Sequence, residues 1–205
     1  MKSFYIAVEG IDGAGNTTQA KLLARKLMKH GLRVMNVHEP TDGKIGGLIR
    51  EALAKRVNIS EEVLALLFAA DRLTLREKII SAKQSGVYIV SDRSVVSSLA
   101  YQSAALGLRN WVYEINRFAV KPDIIVYIDI SPETALKRLR KKSQRYENMV
   151  FLRKVKNAYS RVLRDFRRVV VVDGEQPVDA VAETVVEKLS AAFRTLSSSA
   201  ASRST

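Results

Sequence analysis

The segment Gly10-Ile11-Asp12-Gly13-Ala14-Gly15-Asn16-Thr17 constrains this chain more than any other. Before it, residues 4–9 (Phe4-Tyr5-Ile6-Ala7-Val8-Glu9) form a short apolar run that reads as a buried strand. After it, residues 17–30 carry a helical pattern. A strand that turns through glycines into a helix points successive backbone N–H groups at one spot. The helix start adds free N–H groups and the positive end of its dipole, which together make a cradle for phosphate. The spacing fits G-x-x-x-x-G-K-[ST] at every fixed position but one. Gly10 and Gly15 fill the glycine positions and Thr17 the hydroxyl position that meets Mg²⁺, while Asn16 stands where the pattern has lysine. Asparagine donates hydrogen bonds but brings no charge. Loss of one well-placed charged donor costs a catalyst roughly 10²–10³ in rate. The loop therefore predicts nucleotide binding and leaves the rate of any transfer open.

Composition narrows the classes further. The 205 residues suit one domain with a full core, and the 47% hydrophobic content argues against disorder. No apolar run approaches a membrane span, and the start of the sequence lacks a cleavable signal pattern, so a cytoplasmic protein is expected. Without cysteine there is no disulfide framework, thiolate metal site or thiol nucleophile. Two histidines, His30 and His38, leave little scope for zinc. The net charge of +13 predicts a polyanionic partner, nucleotide or nucleic acid. Much of the excess lies between Lys137 and Arg168, where aromatic residues do not interleave with the cations as in a single-strand binding platform. Nucleotides are the preferred reading and nucleic acid the lesser one.

The remaining apolar runs are residues 33–38, 87–91, 123–130 and 169–173. They are continuous rather than alternating, as in strands covered on both faces, and helical pattern separates them. That order predicts right-handed βαβ crossovers and a parallel sheet. Helices are expected over 17–30, 45–55, 60–85, 95–106, 111–120, 132–142, 147–165 and 178–196. Ser60 with Glu61 and Ser131 with Pro132 mark helix starts, and Gly31 and Gly86 mark stops. One domain is expected over 1–196, with a mobile basic segment about 138–147 and a frayed, low-complexity tail over 197–205. Glu39, Asp92 and Asp173 follow strand ends, the edge of such sheets where ligands bind.

Several residues carry chemistry in that frame. Ser91-Asp92-Arg93 closes the run 87–91. An aspartate opposite a phosphate loop can hold a magnesium shell, and an arginine beside it can bridge phosphates by paired hydrogen bonds. Phe68 and Arg72 lie four apart on one helix and share a face, a ring for stacking and a forked donor for a carbonyl. Ser98, Tyr101 and Gln102 also share a face, and Gln102 matches an imide edge with one donor and one acceptor. Lys137, Arg138, Arg140, Lys141, Lys142 and Arg145 form a cationic run that, beside a phosphate loop, can act as a lid and supply charge that Asn16 lacks.

These pieces together resemble the thymidylate kinases. The likeness rests on residues 4–18, Glu39-Pro40, Leu67-Phe68-Ala69-Ala70-Asp71-Arg72, Ser91-Asp92-Arg93, Ser97-Ser98-Leu99-Ala100-Tyr101-Gln102, Lys121-Pro122-Asp123 and Arg145-Tyr146-Glu147, and spans about residues 3–194. The resemblance implies an α/β P-loop kinase fold in three layers, a five-stranded parallel sheet with helices on both faces. It implies transfer of the γ-phosphoryl of ATP to dTMP with Mg²⁺, and a homodimer. Carried over by position, Gly10, Gly13, Ala14, Gly15, Asn16, Thr17 and Thr18 would cradle the ATP phosphates. Asp12, Glu39, Arg50, Phe68, Arg72, Arg93, Ser98, Tyr101 and Gln102 would hold dTMP, with Thr17 and Asp92 at the metal. Asp12, Arg93 and Arg145 would carry catalysis, Arg145 because Gly13 stands where part of the family has a catalytic arginine. Three other readings stay open from the residues alone: a nucleotide-binding protein with little turnover, a basic nucleic-acid-binding protein on the same scaffold, and a kinase for another acceptor, dUMP being the nearest.

Overall fold

In the computed structural model, which describes residues 3–139 and 145–201 (backbone alone for 192 and 194–201), five strands form one parallel sheet. They are β1 (Tyr5–Glu9), β2 (Val34–His38), β3 (Tyr88–Asp92), β4 (Ile124–Asp129) and β5 (Val169–Asp173), in the order β2-β3-β1-β4-β5. The helices are α1 (Asn16–Lys29), α2 (Lys44–Leu53), α3 (Glu61–Gln84), α4 (Val95–Leu106), α5 (Arg109–Ile115), α6 (Pro132–Arg138), α7 (Met149–Val162) and α8 (Val178–Ala201). α1 packs on α8, and α3 and α7 pack on α4, so helices cover the sheet as the parallel pattern requires.

β1 is buried along its whole length between β3 and β4, with Ile6 opposite Val90 on one side and Ile124 on the other. The edge strands β2 and β5 are only partly covered. On β5, Lys188 Nζ donates to the Val171 carbonyl at 2.7 Å, which satisfies an edge acceptor with a charged side chain. Because β1 sits where the strand order reverses, the crevice beyond its C-terminal end is the site such sheets offer a ligand. The strands around it end on Glu9, Asp92, Asp129 and Asp173.

Side-chain caps start four of the described helices, α3, α4, α6 and α7. Ser60 Oγ accepts from Val63 N at 3.3 Å and Ser131 Oγ from Thr134 N at 3.1 Å, as the sequence predicts. Gly31 and Gly86 leave their helices at positive φ. Several ends differ from expectation. The helix expected over 132–142 stops at Arg138, where the backbone of Leu139 turns extended. The predicted helix over 111–120 is the shorter α5, because Asn116 turns its Nδ2 back onto the Val112 carbonyl (2.8 Å) and ends the run. The helix expected from 147 begins at Met149, where Asn148 Oδ1 accepts from Phe151 N at 2.9 Å. α8 continues past Leu196 through three serines and two alanines to Ala201: once a helix is formed each further residue adds a hydrogen bond. Of the expected basic segment, residues 140–144 lie outside the described residues, as do 202–205 of the expected tail.

Candidate active site

The glycine-rich turn takes the shape its composition predicts. Gly13 and Gly15 have φ of 84° and 93°, which L side chains resist. Gly10 is needed for close approach instead: a Cβ there would stand 2.7 Å from the Ile128 carbonyl oxygen. Ala14 N donates to the Ile11 carbonyl at 3.1 Å and closes the turn. α1 begins without a side-chain cap and without an acidic residue in its first turn, so its free N–H groups face the turn unneutralised.

Asn16 does not reach outward from this turn. It is 5% exposed, and its Nδ2 donates to the Gly10 carbonyl at 3.1 Å. Its Oδ1 is buried and has no partner among the described residues. The side chain thus folds beneath the loop and braces it. Thr17 Oγ1 donates to Asp92 Oδ2 at 2.5 Å, which unites the two predicted metal residues across the end of β1. A hydroxyl beside a carboxylate is an oxygen donor set suited to a hard cation that keeps most of its waters.

Arg93 stands between two cavities. Its backbone φ is +70°, a left-handed conformation costing a non-glycine residue about 1–3 kcal/mol. The turn aims its guanidinium at the loop: Nη2 donates to Asp12 Oδ1 at 2.5 Å, and Nη1 donates to the Gly10 carbonyl at 3.1 Å and to Ser97 Oγ at 3.0 Å. The group lies 5.3 Å from the centre of the Tyr101 ring, whose hydroxyl accepts from Asp12 N at 2.9 Å. Burial pushes the Tyr101 phenol well above its ordinary pKa, so it stays neutral.

On one side of Arg93 lies a cavity enclosing about 540 Å³, part of it open to solvent. Asp12, Glu39, Phe68, Arg72, Arg93, Ser98, Tyr101 and Gln102 line it, so eight of the nine residues predicted for the acceptor converge. Arg72, 5% exposed, is held more firmly than its sequence shows. Its Nε donates to both Glu39 oxygens (3.1 and 2.9 Å), and Nη2 donates to Glu39 Oε2 (2.6 Å) and Ser98 Oγ (2.8 Å). Nη1 donates to Asn116 Oδ1. One Nη1 hydrogen is left without a protein partner among the described residues, aligned by five bonds to the other hydrogens. Gln102 is 2% exposed, with Oε1 unpaired among the described residues, an acceptor that a ligand N–H can satisfy. Buried Asp71 accepts from Thr41 N and Oγ1, both at 2.7 Å, and holds the turn that carries Glu39 and Pro40.

The other cavity is a depression over the loop, lined by Gly13, Gly15, Asn16, Thr17 and Thr18 with Asp92 on one wall and Arg138, Leu139 and Glu147 on another. Gly10 and Ala14 lie beneath it rather than at its surface: Gly10 is taken by Arg93, and Ala14 is 4% exposed. Asp12, Glu39 and Arg93 line both cavities, so a group leaving one enters the other past these three side chains.

A family model described as thymidylate kinase matches residues 8–185. This chain belongs to the thymidylate kinase family. It is 40% identical over 185 residues to a probable thymidylate kinase of Methanosphaera stadtmanae, covering 88% of this chain and 94% of that protein. It is 42% identical over 197 residues to a thymidylate kinase of Caldanaerobacter subterraneus subsp. tengcongensis, covering 91% and 95%. The solved thymidylate kinase of Candida albicans superposes with a TM-score of 0.82 at 26% identity, covering 94% of this chain and 93% of that one.

Besides Gly10 and Ala14, two residues expected in this kinase's site lie outside both cavities. Arg50 donates through Nη1 to the carbonyls of Thr41 (2.6 Å) and Pro40 (3.3 Å), bracing the turn that forms the cavity wall. Arg145 donates through Nε to Glu61 Oε1 at 2.7 Å, in the first turn of α3. Other residues came into view only with the fold. Tyr146 lines the same cavity as Arg72 and Gln102, and its hydroxyl donates to Glu61 Oε2 at 2.5 Å; burial and then Glu61 push that phenol's pKa up. Asn116 is 44 positions from Arg72, and no local spacing announces the pair. Arg138 is expected beside the loop as part of the cationic run; that it is the member lining the loop cavity among the described residues is not legible in the sequence.

Proposed function

We propose that this protein transfers the γ-phosphoryl group of ATP to dTMP, forming ADP and dTDP, with Mg²⁺. The carrying observation is the pair of cavities that meet at Asp12, Glu39 and Arg93. An oxygen of the dTMP phosphate forms the new bond to the γ-phosphorus as the β–γ bridging oxygen leaves with ADP, and no protein nucleophile is needed. The loop N–H groups and Thr18 hold the ATP phosphates. Mg²⁺, held at Thr17 and Asp92, would offset phosphate charge. Arg93 exchanges Asp12 for phosphate oxygens, and Asp12 then faces the acceptor and its sugar. Phe68 stacks on thymine, Arg72 offers its aligned Nη1 hydrogen to a base carbonyl, and Gln102 Oε1 accepts the imide N–H. Tyr101 closes the sugar's side. Arg50 and Arg145 join once phosphate replaces their present acceptors, two carbonyls and Glu61.

A coupled assay of purified protein across dTMP, dUMP, dCMP, dGMP and dAMP tests this. We expect dTMP to be the best acceptor and dUMP next, because both present a carbonyl, an imide N–H and a carbonyl to Arg72 and Gln102. Turnover of dCMP above dTMP, or none with any acceptor, overturns the reading. The charge excess is then a property of a nucleotide enzyme, not a nucleic-acid surface.

We further propose a cytoplasmic homodimer whose fold occupies residues 1–196. On α3, Val63, Leu66 and Leu73 lie at helical spacing and are exposed, with Leu48 of α2 exposed as well. A second copy would cover this stripe. No described helix is long and apolar enough to cross a membrane. Sedimentation at micromolar concentration should give a dimer, and Leu66→Glu a monomer; a monomeric parent protein removes the proposal.

A further inference from the structure

Glu9 ends β1 directly under the loop, is 0% exposed, and lines neither cavity. A carboxyl in such a place costs stability when ionised unless hydrogen bonds answer it. Three hydroxyls do so. Ser94 Oγ donates to Oε1 at 2.6 Å, Ser97 Oγ to Oε2 at 2.6 Å, and Tyr159 OH to Oε2 at 3.0 Å. Each of the three is also tied to Arg93 or to its acceptor. Ser94 is the next residue in the chain, and its Oγ accepts from Val96 N at 3.2 Å at the start of α4. Ser97 Oγ accepts from Arg93 Nη1 at 3.0 Å. Tyr159 OH lies 3.4 Å from the Gly10 carbonyl, the other acceptor of that Nη1.

We infer that Glu9 is a positioning residue for phosphoryl transfer, its carboxylate holding the strained Arg93 turn and guanidinium in the wall between the two nucleotide cavities through Ser94 and Ser97. This rests on the kinase reading given above. With Glu9 ionised, the Ser97 hydroxyl donates inward and keeps its lone pairs for Arg93. With Glu9 protonated, the carboxyl offers its own O–H to the same hydroxyls, the serines compete for one fewer acceptor site, and the attraction for Arg93 is lost.

Burial raises the Glu9 pKa to about 7, with Ser94, Ser97, Arg93 and Tyr159 each opposing that rise. Arg93 is the cation that faces it. The other titratable groups around it are the phenols of Tyr5 on β1, Tyr127 on β4 and Tyr159 on α7, all held neutral by burial. Asp12 faces Arg93 from the far side. The working form of Glu9 is therefore present above about pH 7 and lost as pH falls through that value. The sign for stability is opposite. A carboxyl whose folded pKa exceeds its unfolded one binds more protons when folded, so its contribution to stability declines as pH rises from the unfolded pKa through the folded one.

The test is kcat, KM and Tm of the intact protein between about pH 6 and pH 9 for the parent, Glu9→Gln and Ser94→Ala. We expect Glu9→Gln to lower kcat at the alkaline end about 10–100-fold, the cost typical of losing a partner that orients a functional group, with KM little changed. Its Tm at that pH should equal or exceed the parent's, and the enzyme's acidic limb should vanish, leaving only the limb set by the substrate phosphate. Ser94→Ala should move the parent's limb to higher pH. A kcat and pH profile unchanged in Glu9→Gln overturns the inference, and so does a uniform loss at every pH together with a lower Tm. If Glu9→Gln does not fold, an unmoved limb in Ser94→Ala overturns it. Absence of turnover in the parent protein would instead count against the kinase reading.

Discussion

Arg93→Ala lowers kcat roughly 10³-fold, the scale for removing an arginine that meets the charge of a transferring phosphoryl group. Arg93 touches the loop through the Gly10 carbonyl and lines both cavities. Its present partners are one carboxylate and two neutral oxygens, so a phosphate competes directly with Asp12 for the same hydrogens. Arg93→Lys should recover little, because a single ammonium cannot reproduce the fork that spans Asp12, Gly10 and Ser97. The loss belongs in kcat more than in KM for either nucleotide, since each cavity keeps its other contacts. Stability should change little: the Asp12 pair is partly exposed, and exposed pairs are worth about 0–1 kcal/mol. Steady-state kinetics with both substrates saturating, read beside a thermal melt, decides it. A loss below about tenfold would remove Arg93 from the catalytic role.

Asn16→Lys raises kcat, by up to roughly 10²–10³-fold if the missing ammonium acts as other charged donors do. The native asparagine spends its donor on Gly10 and leaves its acceptor unpaired underneath the loop. Its side chain therefore brings rigidity to the turn and no charge to the depression above. A lysine stem at the same place can leave that niche and carry its charge into the depression above. Two opposing costs are visible, the lost 3.1 Å bond to Gly10 and a desolvated cation when the site is empty, and ATP removes the second. The same variant tests Arg145. If that side chain supplies the charge the loop lacks, Arg145→Ala costs less in the Asn16→Lys background than alone, a coupling that a double-mutant cycle reads. A kcat unchanged by Asn16→Lys would mean that the loop's amides and the surrounding arginines already suffice.

The elements closest to the phosphate loop were the most legible. Strand, glycines and helix state their geometry in composition, and Gly13 and Gly15 adopt the dihedrals their type permits. Convergence of Phe68, Arg72, Ser98 and Gln102 followed from two helical faces, since neighbours at i and i+4 point the same way. Orientation within those faces was not legible. Arg72 reads as a free fork in the sequence, yet Glu39, Ser98 and Asn116 take all but one of its hydrogens, and those partners come from three other parts of the chain. Arg50 and Arg145 share the difficulty, because a flexible cation goes to whichever acceptor the fold brings near. For Arg50 these are the carbonyls of Pro40 and Thr41, and for Arg145 it is Glu61. Glu9 reads as the last residue of a strand, and nothing local tells that three hydroxyls will enclose it.

One rod joins two tasks. Glu61, which latches Arg145 and Tyr146, and Arg72, which we propose meets the base, both belong to α3, about 16 Å apart at the usual rise per residue. An uninterrupted helix does not stretch, so tilting it to admit a bulkier ring drags the latch along. Inhibitors built for the base pocket should accordingly be ranked by what they do at the far end of that lever as well as by how they fill the hole.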